Sequence, residues 1–456
     1  MVTDGEREIN QTSARRRPAV KPQVLKGFRD YLPRQMILRQ RIIALFRGVF
    51  ERHGYEPLDT PVLEHLEVLT GKAGENERLM YHFEDQGGRA VGLRYDLTVP
   101  LSRVVAMHQN DLVLPFKRYQ IAPVWRAEKP QRGRFREFWQ CDADIVGSPS
   151  MLADAEAITV MAEALAAVGL PQATIRINHR KLLTALALLS GVDAARAGGV
   201  YRAIDRLDKV GPDGVDRELI GLGVPAGAAK RILDLVTRTG AADTLLSGLR
   251  EQLAGVPGAA EAIGELEQLF AYLPQFGIPA SAYVLDLALA RGLDYYTGPV
   301  FEASVEQPKI GSVGGAGRYD DLIGTFLGRG VPATGMSLGI ERIIEVVEEF
   351  GLLPVQSTVT EVFVVAFPET MAAAAGIARD LRAAGRRVDL SLLPSRGVGD
   401  QLKYAGRKGI PLAVIAGATE LDAGTVALKD LRSNEQRTLA LIELPGAVER
   451  LLHLEQ

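Results

Sequence analysis

The chain has 456 residues, 47% hydrophobic and 24% charged. These are ordinary values for globular domains, and the length suits about three of them at roughly 150 residues each. Collagen, low complexity and disorder over most of the chain are excluded. The one cysteine, Cys141, can build neither a disulfide framework nor a cysteine zinc site within one chain, and 53 basic against 56 acidic residues leave a net charge of −3, so any nucleic-acid footprint has to be local.

Residues 1–20 are polar, carry Arg15-Arg16-Arg17 and read as a disordered tail. From Arg34, Leu38, Ile42, Leu45, Phe46, Val49 and Phe50 fall at helical spacing, and Gly54 is a stop signal. Met80 to Val146 reads as strand-rich, with turns at Gln86-Gly87-Gly88 and around Gln131-Arg132-Gly133. Met151 to Val168 reads as a helix. Ala173 to Asn178 alternates as a strand, and 180 to about 275 is helical pattern. Strand character returns at Tyr283–Leu289 and Val300–Val305. The glycine-rich turn Gly311–Gly317 follows, then Gly335–Gly339 and a helix to Phe350. Leu352–Thr360 reads as a linker. Beyond it, strands and helices alternate in an α/β module with parallel-sheet signals. No apolar run reaches the roughly 18 residues of a membrane helix, and the N-terminus has no signal-peptide core. A cytoplasmic protein without membrane contact is expected.

Several phosphate and metal signatures are absent. There is no P-loop, no Gly-x-Gly-x-x-Gly fingerprint and no His-Glu-x-x-His pair, and the six histidines are scattered. The densest chemistry lies in 115–147, where two strand-like arms flank a polar loop crowded with Arg126, Lys129, Arg132, Arg134 and Arg136. Convergent arginines suit a triphosphate or an RNA backbone, because the guanidinium fork binds phosphate oxygens bidentately. A solvated hairpin tip explains a basic loop equally well. The next strand, however, carries Gln140, Asp142 and Asp144 at every second position, hence on one face. A polar strand face needs a reason.

This stretch resembles motif 2 of the class II aminoacyl-tRNA synthetases. Its form Arg-Gly-Arg-Phe-Arg-Glu-Phe-Trp-Gln-Cys-Asp-Ala-Asp-Ile (132–145) is similar to that of the histidyl-tRNA synthetases. The other family segments follow in order. Lys26–Pro33, the long helix and Tyr55–Glu64 resemble motif 1, the dimer-forming helix and strand. Leu93–Pro100 resembles the segment that holds the substrate amino group, with Asp96 where many members carry Glu. Ala290–Gly298 (Ala-Arg-Gly-Leu-Asp-Tyr-Tyr-Thr-Gly) resembles the histidine-specific signature, Gly311–Asp320 the glycine-rich turn at the histidine pocket, and Gly335–Arg342 motif 3.

The resemblance spans roughly 22–445 and implies an α+β catalytic domain on an antiparallel sheet (21–172 and 276–352). It further implies a mainly helical insertion (173–275) and a C-terminal α/β anticodon-binding domain (360–456). The implied reaction joins histidine and ATP as histidyl-adenylate, then passes the histidyl group to the 3′ end of tRNA(His). Arg126, Arg291 and Arg342 are the expected catalytic and ATP-binding residues. Asp96, Thr98, Gln140, Asp144, Tyr295 and Tyr296 are the expected histidine contacts. ATP as substrate, Mg2+ with unidentified ligands, and a homodimer through motif 1 complete the set. The segment Arg379–Lys408, with eight basic and three acidic residues, suits RNA. A competing reading is a histidine-sensing regulatory subunit of ATP phosphoribosyltransferase, which resembles this catalytic domain. The phosphate-directed arginines and the anticodon-like module argue against it. The motif 2 loop and the Asp-Leu-Thr form are closer to the eukaryotic-type branch, which leaves open how the acceptor end is read.

Overall fold

The computed structural model describes residues 21–70, 74–192, 197–290, 295–308 and 310–453. The expected tail at 1–20 and the expected catalytic Arg291 lie outside the described residues.

Long alternating segments build an eight-stranded sheet. Its order is Glu56–Pro57, Phe116–Trp125, Glu137–Val146, Ala333–Gly339, Ser312–Arg318, Pro299–Ser304, Thr174–His179, Tyr283–Leu285. The five central pairings are antiparallel, and only the two edge pairings are parallel. The arms of the basic hairpin pair along their whole length, from Phe116 opposite Val146 to Trp125 opposite Glu137.

The period of two decides which side chains meet the core. Cys141, Ala143 and Ile145 are buried in the main core together with Ile158 and Met161 of the helix Met151–Ala167 and Phe46 and Phe50 of the helix Pro33–Arg52. Gln140, Asp142 and Asp144 take the opposite face. Ser150 caps the helix Met151–Ala167 by accepting from the Leu152 amide at 3.2 Å.

Thr174–His179, expected within the insertion, pairs with Pro299–Ser304 in the main sheet. Alternation identifies a strand but not its sheet. The helical part therefore starts at Arg180, and the helices among its described residues, Arg180–Leu189 through Ala259–Tyr272, share the main core.

In the C-terminal module the strands Val388–Leu390, Val362–Val365 and Leu412–Ile415 are parallel, as the α/β alternation suggested. Thr425–Asp430 and Gln436–Ala440 extend the sheet antiparallel. Much of the expected basic face here is paired, with Arg387 on Glu361 and Lys408 on Asp389, both at 2.7 Å. Among the described residues no helix is long and apolar enough to cross a membrane.

Candidate active site

The uncovered face of the sheet forms two adjoining cavities. The inner, of about 330 Å³, is lined by Asp96, Thr98, Gln140, Asp144, Tyr295 and Tyr296, and by Asp142 and Tyr319. The outer, of about 270 Å³, is lined by Glu128, Phe138, Glu341 and Arg342 among others. Arg126, Arg134, Gln140, Gly315 and Ser337 border both.

Asp96 precedes the helix Thr98–Met107 and accepts from the Val99 amide at 3.1 Å. An Asp-Leu-Thr triplet usually means a helix cap, and here it is one. The cap engages only Oδ1. Oδ2 is buried without a hydrogen-bond partner. Burial pushes the Asp96 carboxyl up to about 6, although the Val99 amide and Arg126 pull it down. Burial likewise pushes Asp142 up to about 7 against the pull of Arg118.

The rise in Asp96 has a stability cost. The folded state holds the proton more tightly than the unfolded chain, so stability is present at acid pH and is lost as pH rises from about 4 through about 6. Asp96→Asn keeps the cap and removes the charge. Calorimetry is expected to show a gain of at most about 3 kcal/mol at pH 8 and little at pH 4.5.

Asp144 is set differently. The Tyr319 hydroxyl donates to Oδ1, and Arg118, fully buried, lies 2.8 Å from Oδ2. Arg118 also donates to the Leu97 carbonyl at 3.1 Å. Burial still raises the Asp144 carboxyl. Tyr295 stacks edge-on against Tyr296 at 5.0 Å and Tyr319 at 5.8 Å. Three aromatic rings and a fixed carboxylate make a pocket for a flat, polar ring.

The glycines on Ser312–Arg318 and Ala333–Gly339 keep this space open. A Cβ on Gly317 would come within 2.8 Å of the Tyr296 ring, whereas one on Gly315 would meet nothing within 4 Å. Gly315→Leu is expected to fill the cavities. Substrate binding should be lost while the melting temperature stays within a few degrees.

Only part of the basic loop faces the cavities. Arg126 donates from Nε to the Tyr95 carbonyl at 2.9 Å and lies 5.1 Å over the Phe138 ring. Arg134 pairs with Glu128 at 3.4 Å. Arg132 instead binds Glu345 and Glu349 on the exterior at 3.1 and 2.6 Å. Arg136 folds over the Gly27 turn, bonding the carbonyls of Glu128 and Lys26. Arg342 bonds the Ser312 carbonyl. Arg134 belongs to the arginine cluster noted in the sequence, whereas Tyr319 and Ser337 were not singled out from it. Their signal was present in the Arg-Tyr-Asp after the glycines and the polar residue within Gly335–Gly339.

Glu341, in the first turn of the helix Ile340–Phe350, is buried. It meets Arg39 at 2.7 Å, with both side chains almost wholly excluded from solvent. It also accepts from the Trp139 amide at 3.1 and 3.2 Å and from the Tyr31 hydroxyl at 3.3 Å. One carboxylate thus joins motifs 1, 2 and 3.

The profile described as histidyl-tRNA synthetase matches residues 27–343, and an anticodon binding domain profile matches 353–451. A histidine--tRNA ligase of Aeropyrum pernix is 43% identical over 95% of this chain and 99% of its own length. The chain belongs to the histidyl-tRNA synthetase family. A second family relative, the histidine--tRNA ligase of Rhodopirellula baltica, is 44% identical over 92% of this chain and 96% of its own length. The crystal structure of the histidyl-tRNA synthetase of a Nostoc species superposes with a TM-score of 0.85, at 34% identity, covering 95% of this chain and all of that one. A Bacillus halodurans structure described as an ATP phosphoribosyltransferase regulatory subunit/histidyl-tRNA synthetase reaches a TM-score of 0.73 at 25% identity, covering 87% of this chain. The histidyl-tRNA synthetase fold is therefore the frame in which both cavities sit, with an antiparallel catalytic sheet and a separate anticodon-binding module.

Proposed function

We propose that this chain is a histidine--tRNA ligase, an aminoacyl-tRNA synthetase that activates histidine with ATP and transfers it to the 3′ end of tRNA(His). The observation that carries this reading is the pair of cavities with a common wall. One offers a carboxylate and three tyrosines to an imidazole, and the other presents arginines to phosphate. Arg126 borders both, at the point where a histidine carboxylate would meet the α-phosphorus.

The chemistry is displacement at phosphorus, so the protein positions groups and stabilises charge. A carboxylate oxygen of histidine attacks the α-phosphorus and diphosphate leaves. Negative charge grows on the phosphoryl oxygens, and Arg126 and Arg342, with Arg291, are assigned to balance it. The terminal ribose hydroxyl of tRNA then attacks the carbonyl carbon, and AMP leaves. Asp144 and the tyrosines hold the imidazole, Asp96 and Thr98 serve the amino end, and Gln140 lies between.

Mg2+ fits this site as a companion of ATP. Among the described residues no group of three or more metal-ligating side chains occurs. Magnesium needs no such cage, because phosphate oxygens and water supply most of its shell. Glu341 is committed to buried Arg39 at 2.7 Å, whereas Glu128 has only a 3.4 Å contact with part-exposed Arg134, so Glu128 is the outer-wall carboxylate freer to contribute. When bound, the ion would neutralise phosphate charge.

A homodimer is part of this reading. Val62, Leu63, Met107, Val113 and Leu114 are exposed on or near the motif 1 strand, where a second copy would cover them. The anticodon-binding module supplies a second tRNA contact. The cytoplasm is the compartment that fits one buried free cysteine and a tRNA substrate.

ATP–pyrophosphate exchange with each of the twenty amino acids tests the assignment. Exchange with histidine alone is expected. Binding of histidine without exchange would move the chain to the regulatory-subunit reading.

A further inference from the structure

The inner cavity holds more acceptors than its protein neighbours satisfy. Asp96 Oδ2, Asp142 Oδ1 and Gln140 Oε1 are all buried, and none has a hydrogen-bond partner among the described residues. All three residues line the same cavity. Unsatisfied buried acceptors are rare in folded proteins, and each needs an explanation. Three together call for a ligand with several donors.

The remaining atoms of these residues are fixed. Gln140 donates from Nε2 to Ser337 Oγ at 2.7 Å, which aims its Oε1 away from that hydroxyl. Ser337 stands opposite Asp142 in register and bonds its carboxylate. Asp96 is held by the Val99 amide. Asp144, the other carboxylate on this wall, is engaged by Arg118 and Tyr319. Asp96 and Asp142 form no ion pair among the described residues: Arg118 is taken by Asp144, and Arg126 and Arg134 on the same wall are turned to the Tyr95 carbonyl and to Glu128. A compact cation with three donors and no acceptor matches this set, and an alkylammonium is such a group.

We propose that Asp142 is a specificity-determining residue for the amino end of the substrate, completing with Asp96 and Gln140 a three-acceptor site for the α-ammonium. This rests on the histidine-ligase reading and adds to it. Asp142, until now only part of a polar strand face, becomes the residue that makes a free amine a requirement. Its raised carboxyl is consistent with that role, because the arriving cation supplies the charge that lets both carboxylates ionise.

The test is calorimetric titration of the full chain and of Asp142→Asn with three probes. L-Histidine has the amine and the carboxylate, histidinol keeps the amine, and imidazole propionate lacks it. Histidine and histidinol are expected to bind Asp142→Asn about ten- to hundredfold more weakly, the range for a lost hydrogen bond to a charged group. Imidazole propionate should bind both proteins alike. Equal loss for all three probes, or no loss for any, overturns the proposal. Failure of the unaltered chain to bind histidine overturns both the proposal and the reading beneath it. Should the asparagine variant not fold, Asp142→Ala is expected to give the same ranking of the three probes.

Discussion

Gly335→Ala is expected to reduce histidine-dependent ATP–pyrophosphate exchange at least a hundredfold. Gly335 stands opposite Asp144 in register, and a Cβ there would lie 2.0 Å from Asp144 Oδ1 and 3.0 Å from the Ala143 carbonyl. No atom fits at that distance. The carboxylate cannot swing aside cheaply, because Tyr319 holds one oxygen and Arg118 the other. The methyl group therefore dislodges the carboxylate proposed to hold the imidazole or forces the two strands apart. A misplacement of about 1 Å in a positioned group costs on the order of a hundredfold in rate. Gly315→Ala is the matched control, since its Cβ meets nothing within 4 Å. It should retain activity within a few-fold. Equal activity of the two variants would remove Asp144 from the site.

Glu341→Ala should be the most destabilising single change at this site. It strands the Arg39 guanidinium in the core, and two of that group's nitrogens already lack partners. It also removes the acceptor for the Trp139 amide and the Tyr31 hydroxyl. Breaking a buried pair from one side costs about 3–5 kcal/mol, a fall of roughly 10 °C in melting temperature for a domain this size. Removing both charges with Arg39→Met and Glu341→Leu should recover much of that loss. Activity should not recover with it, because the helix that carries Arg342 loses its tie to motifs 1 and 2. Scanning calorimetry beside an exchange assay separates the two effects. Recovery of both together would make the pair a packing device only.

The sequence made some of this visible and hid the rest for physical reasons. The polar face of Gln140, Asp142 and Asp144 followed from a period of two, which is local. The ordered motifs identified Arg126, Arg342 and the tyrosine pair as residues to watch. The burial of Glu341 was hidden because its partner lies about 300 residues earlier in the chain. Arg39 did carry a clue, since it shares a helical stripe with Ile42, Ile43 and Phe46, all buried. A cation in such a stripe calls for a buried anion. The outward turn of Arg132 could not be read from the loop, because the glutamates that draw it are on the helix Ile340–Phe350. Nor could alternation in Thr174–His179 say which sheet it would join.

The wall shared by the two cavities has a consequence for molecules that occupy both. Once an imidazole is seated, a purine nucleotide tethered to it meets the outer compartment at an effective concentration that short linkers raise to the millimolar range. Joining the two halves thus multiplies affinities without any new contact. Inhibitors that bridge the compartments should gain in this way over either fragment alone. The same tethering would retain a reactive mixed anhydride on the protein, away from water, until an acceptor hydroxyl arrives.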